Sequence, residues 1–276
     1  MTQVVVKAPH LLSDLHLDLY TNASALSALY RNVLGDITAS TETADVRPMI
    51  LAGDIASVHT IIGRERWVEF VGMLQQRRYD PILVVMGNHE HYGGDYRETA
   101  RLLKETVPSI TLLQQDVWEP PTADYVIVGC TLWSHIPSHV KSLIALFIND
   151  YVQINDFTTT VSNTLHDSDR QWLETTLQRI QQDGKRKKII AVTHHAPLLD
   201  SGCSNEQYVG RPTNHAFETH LPELVKYADT WCFGHTHWST DFMVKYDDHE
   251  TRIVSNAHGY KNEKGSRDHF VIGKEI

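Results

Sequence analysis

Short apolar runs in this 276-residue chain repeatedly break off into side chains that bind divalent cations, and those side chains gain a common purpose only if the fold sets the runs side by side. "LL" leads into "SDLHLD", "PMILA" at 48 to 52 into "GDIA", "PILVVM" at 81 to 86 into "GNHEHY", "IIAV" at 189 to 192 into "THHAP", and "TWCF" at 230 to 233 into "GHTH". With "VVV" near the start and "YVIVGC" at 125 to 130, these read as buried strands of an α/β or α+β sheet. Each polar cluster then lies where a strand opens into a loop, the place where such folds gather ligands.

Between the runs, Trp67, Phe70, Val71 and Leu74 follow i, i+3, i+4, i+7, and Trp172, Leu173, Leu177 and Ile180 repeat the stripe. At helical spacing both are core contacts. Ser168 followed by Gln171 predicts a capping box at the start of the second helix, with Gly184 as its stop. "KRKK" at 185 to 188 reads as a solvated turn. The segment 198 to 217 has little periodicity and several turn formers, which makes it a long loop and a candidate substrate cover. No repeat or linker divides the chain, so a single domain over 1–276 is expected.

The clusters supply Asp14 and His16, which leave one face of an extended segment; Asp54, behind a glycine that permits a tight turn; Asn88 and His89; His194 and His195; and His235 and His237, again at i, i+2. Taken singly, each is an ordinary turn or core residue. Jointly they offer nitrogen and oxygen donors without sulfur, a set that suits Mn²⁺, Fe²⁺ or Zn²⁺. Two aspartates, an asparagine and four histidines exceed one tetrahedral site and suit two ions sharing a carboxylate.

Composition narrows the partners. A net charge of −9 lacks the basic footprint for extended nucleic acid or an anionic membrane, so an anionic substrate has to be drawn by something local such as metal ions. No run approaches the roughly 18 apolar residues of a membrane span, and "MTQVVVKAPH" has no long apolar core of a secretory signal, so a soluble, cytoplasmic protein is expected. Cys130, Cys203 and Cys232 form no CxxC pair, which argues against a disulfide framework or thiolate zinc site.

The blocks "DLH", "GDI", "GNHE", "THH" and "GHTH", in that order from residue 14 to 237, resemble the calcineurin-like metallophosphoesterases, whose pattern is D-x-H, G-D, G-N-H-D/E, a strand-end H and G-H-x-H. "GCTLWSHI", "ND" at 149 to 150 and "SNAHGY" at 255 to 260 look like the small bacterial and fungal members. The resemblance implies a four-layer αββα sandwich of two mixed β-sheets flanked by helices. It implies that Asp14, His16 and His237 hold one ion, that Asn88, His194 and His235 hold a second, and that Asp54 bridges them. Two divalent metal ions are the implied cofactors, manganese first, with iron and zinc or nickel as alternatives. A hydroxide shared by the ions would be the nucleophile, and His89 would act as general acid or phosphate contact without binding metal.

The same resemblance places Trp133 and His135 at the substrate pocket. His195 is expected to touch the phosphate, to orient His194 or to pack. His91, Tyr92, Asn256, His258 and Tyr260 stand open between pocket and plain packing. Two departures, Ile55-Ala56 after "GD" and Glu90 where many relatives have Asp, remove no ligand and are expected to bear on subfamily and substrate, not on the metal centre. The implied activity is hydrolysis of a phosphomonoester or phosphodiester, with a phosphorylated small molecule or nucleotide-type ester as substrate. The alternatives are a non-catalytic scaffold of the same fold, disfavoured because every ligand is present, and a single-zinc hydrolase of another fold, which predicts one ion.

Overall fold

Side-chain alternation along the strands sorts the apolar residues into three cores separated by two sheets. The computed structural model describes residues 6–35, 46–120, 122–183, 187–261, 263 and 269–276. One sheet joins β1 (His10–Leu12), β2 (Arg47–Ala52), β3 (Tyr79–Val85) and β4 (Thr111–Leu112) in that order, with parallel pairing. The other runs β5-β6-β7-β8-β10-β9, from β5 (Asp116–Trp118), β6 (Tyr125–Cys130), β7 (Lys188–Thr193), β8 (Thr230–Phe233), β9 (Thr240–Lys245) and β10 (Glu250–Ser255). Its central pairs are parallel and its outer pairs antiparallel.

Leu11, Ile50, Leu83 and Val85 from the first sheet meet Ile127, Ile190, Val192, Cys232 and Val254 from the second, forming the middle core. Their neighbours Leu12, Leu51 and Val84 point the other way, onto α1 (Ala23–Leu34), α2 (Ile61–Gln76) and α3 (Tyr96–Thr106). Val126, Val128, Ala191 and Trp231 likewise turn outward onto α6 (Thr159–Gln182) and α7 (Pro222–Val225). Helices therefore cover both outer faces, and the layers run helix, sheet, sheet, helix. Two short helices, α4 (Lys141–Phe147) and α5 (Asp150–Gln153), lie between β6 and α6 in the chain.

The expected strands are present, except that Val4 and Val5 of "VVV" lie outside the described residues and Val6 makes an isolated bridge to Val46. The strands not anticipated, β4, β5 and β9, are very short or, in β9, half exposed, which weakens the apolar signal. Trp67, Phe70, Val71 and Leu74 are buried as a helix stripe, and Leu173 and Leu177 anchor the second. The capping box at Ser168 is not the start of its helix. Thr158 caps α6 by accepting from Val161 N, and Ser168 instead accepts a bond from Gln115 within the helix's course. Gly184, Lys185 and Arg186 lie outside the described residues. Segment 198 to 217 carries only two short 3-10 turns, Glu206–Tyr208 and Pro212–Ala216. Among the described residues no helix is long and apolar enough to cross a membrane.

Because the strands carrying the polar clusters are mutually parallel within each sheet, their C-terminal ends open along one edge. The loops there are laced together: Asp14 N donates to Gly53 O, Gly234 N to His194 O, and His194 N to Thr131 O.

Candidate metal centre

The i, i+2 spacing of Asp14 with His16, and of His235 with His237, works by a different route from the one expected. None of the four is in extended backbone. Asp14 (φ 57°), His16 (φ 47°), His235 (φ 66°) and His237 (φ 52°) all sit in the left-handed region, as does Asp54 (φ 57°). That region is uncommon for residues with a side chain, and its concentration here marks a functional site. Gly53, at φ 89°, faces the His194 ring so closely that a Cβ would lie 2.2 Å from Nδ1. At Gly87 a Cβ would lie 2.2 Å from Asp54 Oδ1. Both glycines let ligand loops approach closer than any other residue would allow.

Donor atoms of Asp14, His16, Asp54 and His237 lie within 4.8 Å of one another, and so do those of Asp54, His194 and His235. Asp54 belongs to both groups. His16 Nε2 is 3.0 Å from His237 Nε2, and His237 Nε2 is 3.5 Å from Asp14 Oδ1. On the other side, His194 Nε2 is 3.4 Å from Asp54 Oδ1 and 3.0 Å from Asn88 Oδ1. Asp54 Oδ2 is buried without a hydrogen-bond partner, a costly state for a carboxylate oxygen unless a cation meets it. This oxygen and nitrogen set, with an orphaned carboxylate oxygen, fits hard or borderline divalent ions.

The donors are themselves held. His194 Nδ1 bonds Ala52 O, His235 Nε2 lies 3.3 Å from Ala216 O, and His237 Nδ1 bonds Glu263 Oε2 at 2.6 Å. Asn88 Nδ2 donates to Asp150 Oδ1 at 2.7 Å, and the Tyr92 hydroxyl donates to the same oxygen at 2.6 Å. That fixes which end of the Asn88 amide faces His194. Glu90 reaches further than its place in the motif suggests. Its carboxylate, fully buried, accepts from Asp54 N, Ile55 N and Gly87 N, tying the loop after β2 to the loop after β3. Contrary to the expectation that it would not touch the metal centre, Glu90 holds the loop that carries Asp54.

Burial pushes the His16 and His235 imidazoles well below their usual range, so both meet a cation as neutral ligands. At His194 burial works downward too, but the Asp54 carboxylate beside it prevails and lifts it to about 9. Burial raises Glu90 to about 7, helped by Asp54, and Asp150 to about 6.

Beside the donors opens a cavity of about 430 Å³ lined by Asp54, Asn88, His89, His235 and His237. His89 stands at its base, Nε2 3.9 Å from Asp54 Oδ2, its ring stacked on Tyr92 and sharing a 3.0 Å hydrogen bond with the Tyr260 hydroxyl. Trp133, His135 and His195 are not among the lining residues. Trp133 is buried against Ile154 and Phe157, because a large ring gains more there than at a wet rim. His135 is exposed and meets the His166 ring edge-on. His195 packs on His235 and bonds the Ser134 hydroxyl through Nδ1. His91 bonds Thr99, Asn256 ties Leu11 to Val271, and His258 packs on Phe270, whereas Tyr92 and Tyr260 line the cavity. Sequence reasoning missed Asp150, Phe147, Tyr208, Phe217 and Glu263, which also line it. Of these, Asp150 carried a signal in the "ND" pair, and Tyr208 and Phe217 lie in the segment 198 to 217 expected to be a long loop and candidate cover.

A family model described as calcineurin-like phosphoesterase matches residues 10–239. Uncharacterized protein L509 of Acanthamoeba polyphaga mimivirus is 27% identical over 272 residues, covering 92% of this chain and 91% of that protein. Among solved structures, the phosphopantetheinyl hydrolase of Mycobacterium tuberculosis matches with a TM-score of 0.59 and 19% identity over 94% of both chains. The NAD nucleotidase of Haemophilus influenzae matches at 0.47 and 12% identity, over 90% of this chain and 44% of that longer one.

Proposed function

This chain belongs to the calcineurin-like phosphoesterase family, and from that premise we propose that it is a two-metal hydrolase of phosphate esters. The observation that carries the reading is the sharing of Asp54 between two donor groups. Asp14, His16 and His237 would hold one ion, Asn88, His194 and His235 the other, and Asp54 both. When bound, two divalent ions polarise phosphoryl oxygens and acidify a water that attacks phosphorus. Manganese is the first choice, with iron and zinc or nickel also compatible with the donors.

The chain's own groups supply the rest. His89 borders the cavity next to Asp54 without belonging to either donor group, so it is placed to donate a proton or hydrogen bond to the ester oxygens. Stacking on Tyr92 and the bond to Tyr260 hold its ring in place, which lowers the cost of aligning it. Asp150 and Glu90 keep the Asn88 and Asp54 donors aimed inward. The three cysteines are buried free thiols, which suits the reducing cytoplasm.

The test is a panel of phosphomonoesters and phosphodiesters assayed with each divalent ion, run beside metal analysis. Turnover with two ions per chain is expected. One ion per chain, or no turnover with any ion, would overturn the reading.

A further inference from the structure

Above the donor groups, the cavity walls come from two segments that the chemistry at its base does not use. The end of α4 and the turn into α5 present Phe147, Ile148 and Asn149; the segment after Leu198 presents Tyr208, Thr213 and Phe217. Phe147 is 64% exposed and Tyr208 38%, large side chains that a surface helix or turn would ordinarily bury or replace. Leu146 and Val209, their neighbours in sequence, are exposed as well. Apolar surface that converges on a cavity, instead of being scattered, is surface suited to a ligand.

Charge identifies the ligand. Among the described lining residues there is no lysine or arginine; Arg211, whose guanidinium lies over the Tyr208 ring, is not part of the lining and donates to Gln207 O, and the carboxylates Asp150 and Glu263 are engaged at the base with Asn88 and His237. A phosphate at the base has bound cations to meet it. A second anionic group higher up would exchange water for aromatic rings and neutral side chains, an uncompensated desolvation. Neutral hydroxyl and amide groups fare better, because Asn149, Ser204 and Thr213 lie in the walls.

We propose that this mouth is a leaving-group pocket for an uncharged, apolar alcohol, so that the substrates are phosphate esters of such alcohols and not bisphosphates or nucleoside polyphosphates. The inference rests on the phosphoesterase reading. In the reaction, a water oxygen bonds to phosphorus as the phosphorus–oxygen bond to the alcohol breaks, and the alcohol leaves with a proton. The pocket acts by holding the alcohol's carbon chain.

The experiment uses the manganese-loaded protein and ethyl, butyl and hexyl phosphate, whose leaving groups differ in apolar length and scarcely in acidity. kcat/KM is expected to rise by about two- to fourfold for each added methylene. Phe147→Ala and Tyr208→Ala should flatten that rise; both side chains are exposed, so folding is spared. 1,6-Hexanediol bisphosphate should react at least about tenfold more slowly than hexyl phosphate. A flat series, a rise untouched by both substitutions, or equal rates for the bisphosphate would overturn the pocket while leaving the hydrolase standing. No turnover of these alkyl esters beside turnover of other esters in the wider panel would also overturn the pocket, whereas no turnover of any ester in that panel would remove the hydrolase reading and this inference with it.

Discussion

At the base of the cavity the donor side chains are buried and most are gripped by a carbonyl or carboxylate, whereas at its mouth Phe147 stands in solvent and Tyr208 meets only the Arg211 guanidinium over its ring. The base is rigid because a misplaced donor cannot bind an ion, and hydrogen bonds among buried groups hold orientation strongly. The mouth answers only to hydrophobic contact, which is non-directional. A substitution at the base should therefore act on metal and chemistry, and one at the mouth on the choice of ester.

The largest expected effect is at the shared carboxylate. Asp54→Asn should lose both ions and all measurable turnover, while His89→Ala keeps both ions and loses about 10²- to 10⁴-fold in kcat. Metal content by mass spectrometry separates the two, and an emptied site in the His89 variant would contradict its role. Next, Glu90→Ala leaves the buried amides of Asp54, Ile55 and Gly87 without an acceptor. Urea denaturation should register a loss of about 3 kcal/mol; a loss under about 1 kcal/mol would mean that the clamp is unimportant.

Asp150→Ala should weaken binding of one ion by about 10- to 100-fold and spare the other, because it releases only the Asn88 amide. Asp150→Asn should restore much of the loss, since both bonds end on the single oxygen Oδ1. Equal weakening of both ions would show general softening instead. The smallest effect is on pH. With His194 lifted to about 9 against burial by Asp54, the metal-free protein keeps a proton there at neutral pH that an arriving ion must displace. Metal affinity should thus climb by up to about tenfold per pH unit and level off near pH 9. Calorimetry in buffers of different ionisation enthalpy should find a proton released at pH 7.5, and finding none would refute it.

The same contrast explains what could be read from sequence. The base was legible because Asp, Asn and His directly after apolar runs are chemically unusual, and Gly53 and Gly87 sit before their ligands where close approach demands them. The reason for the i, i+2 spacing was hidden, since nothing in "DLH" or "HTH" declares a left-handed backbone. The mouth was legible only in the segment around Tyr208, as a long loop and candidate cover; Phe147 is an ordinary apolar letter until the fold leaves it exposed. At Trp133 and His135 the motif likeness gave no hint that the Ile154 and Phe157 cluster would hold the Trp133 ring while His135 lies exposed. At Ser168 a valid local cap pattern lost to Thr158, which begins α6 earlier.

The left-handed backbone at Asp14, His16, Asp54, His235 and His237 bears on ancestry. Each such residue carries strain of about 1 kcal/mol or more, which glycine at the same position would relieve. A lineage that had given up turnover would gain stability by drifting toward glycine there, and selection for folding alone would favour the drift. All five positions carry possible cation donors instead of glycine, so the fold gives up stability at each that folding alone does not require.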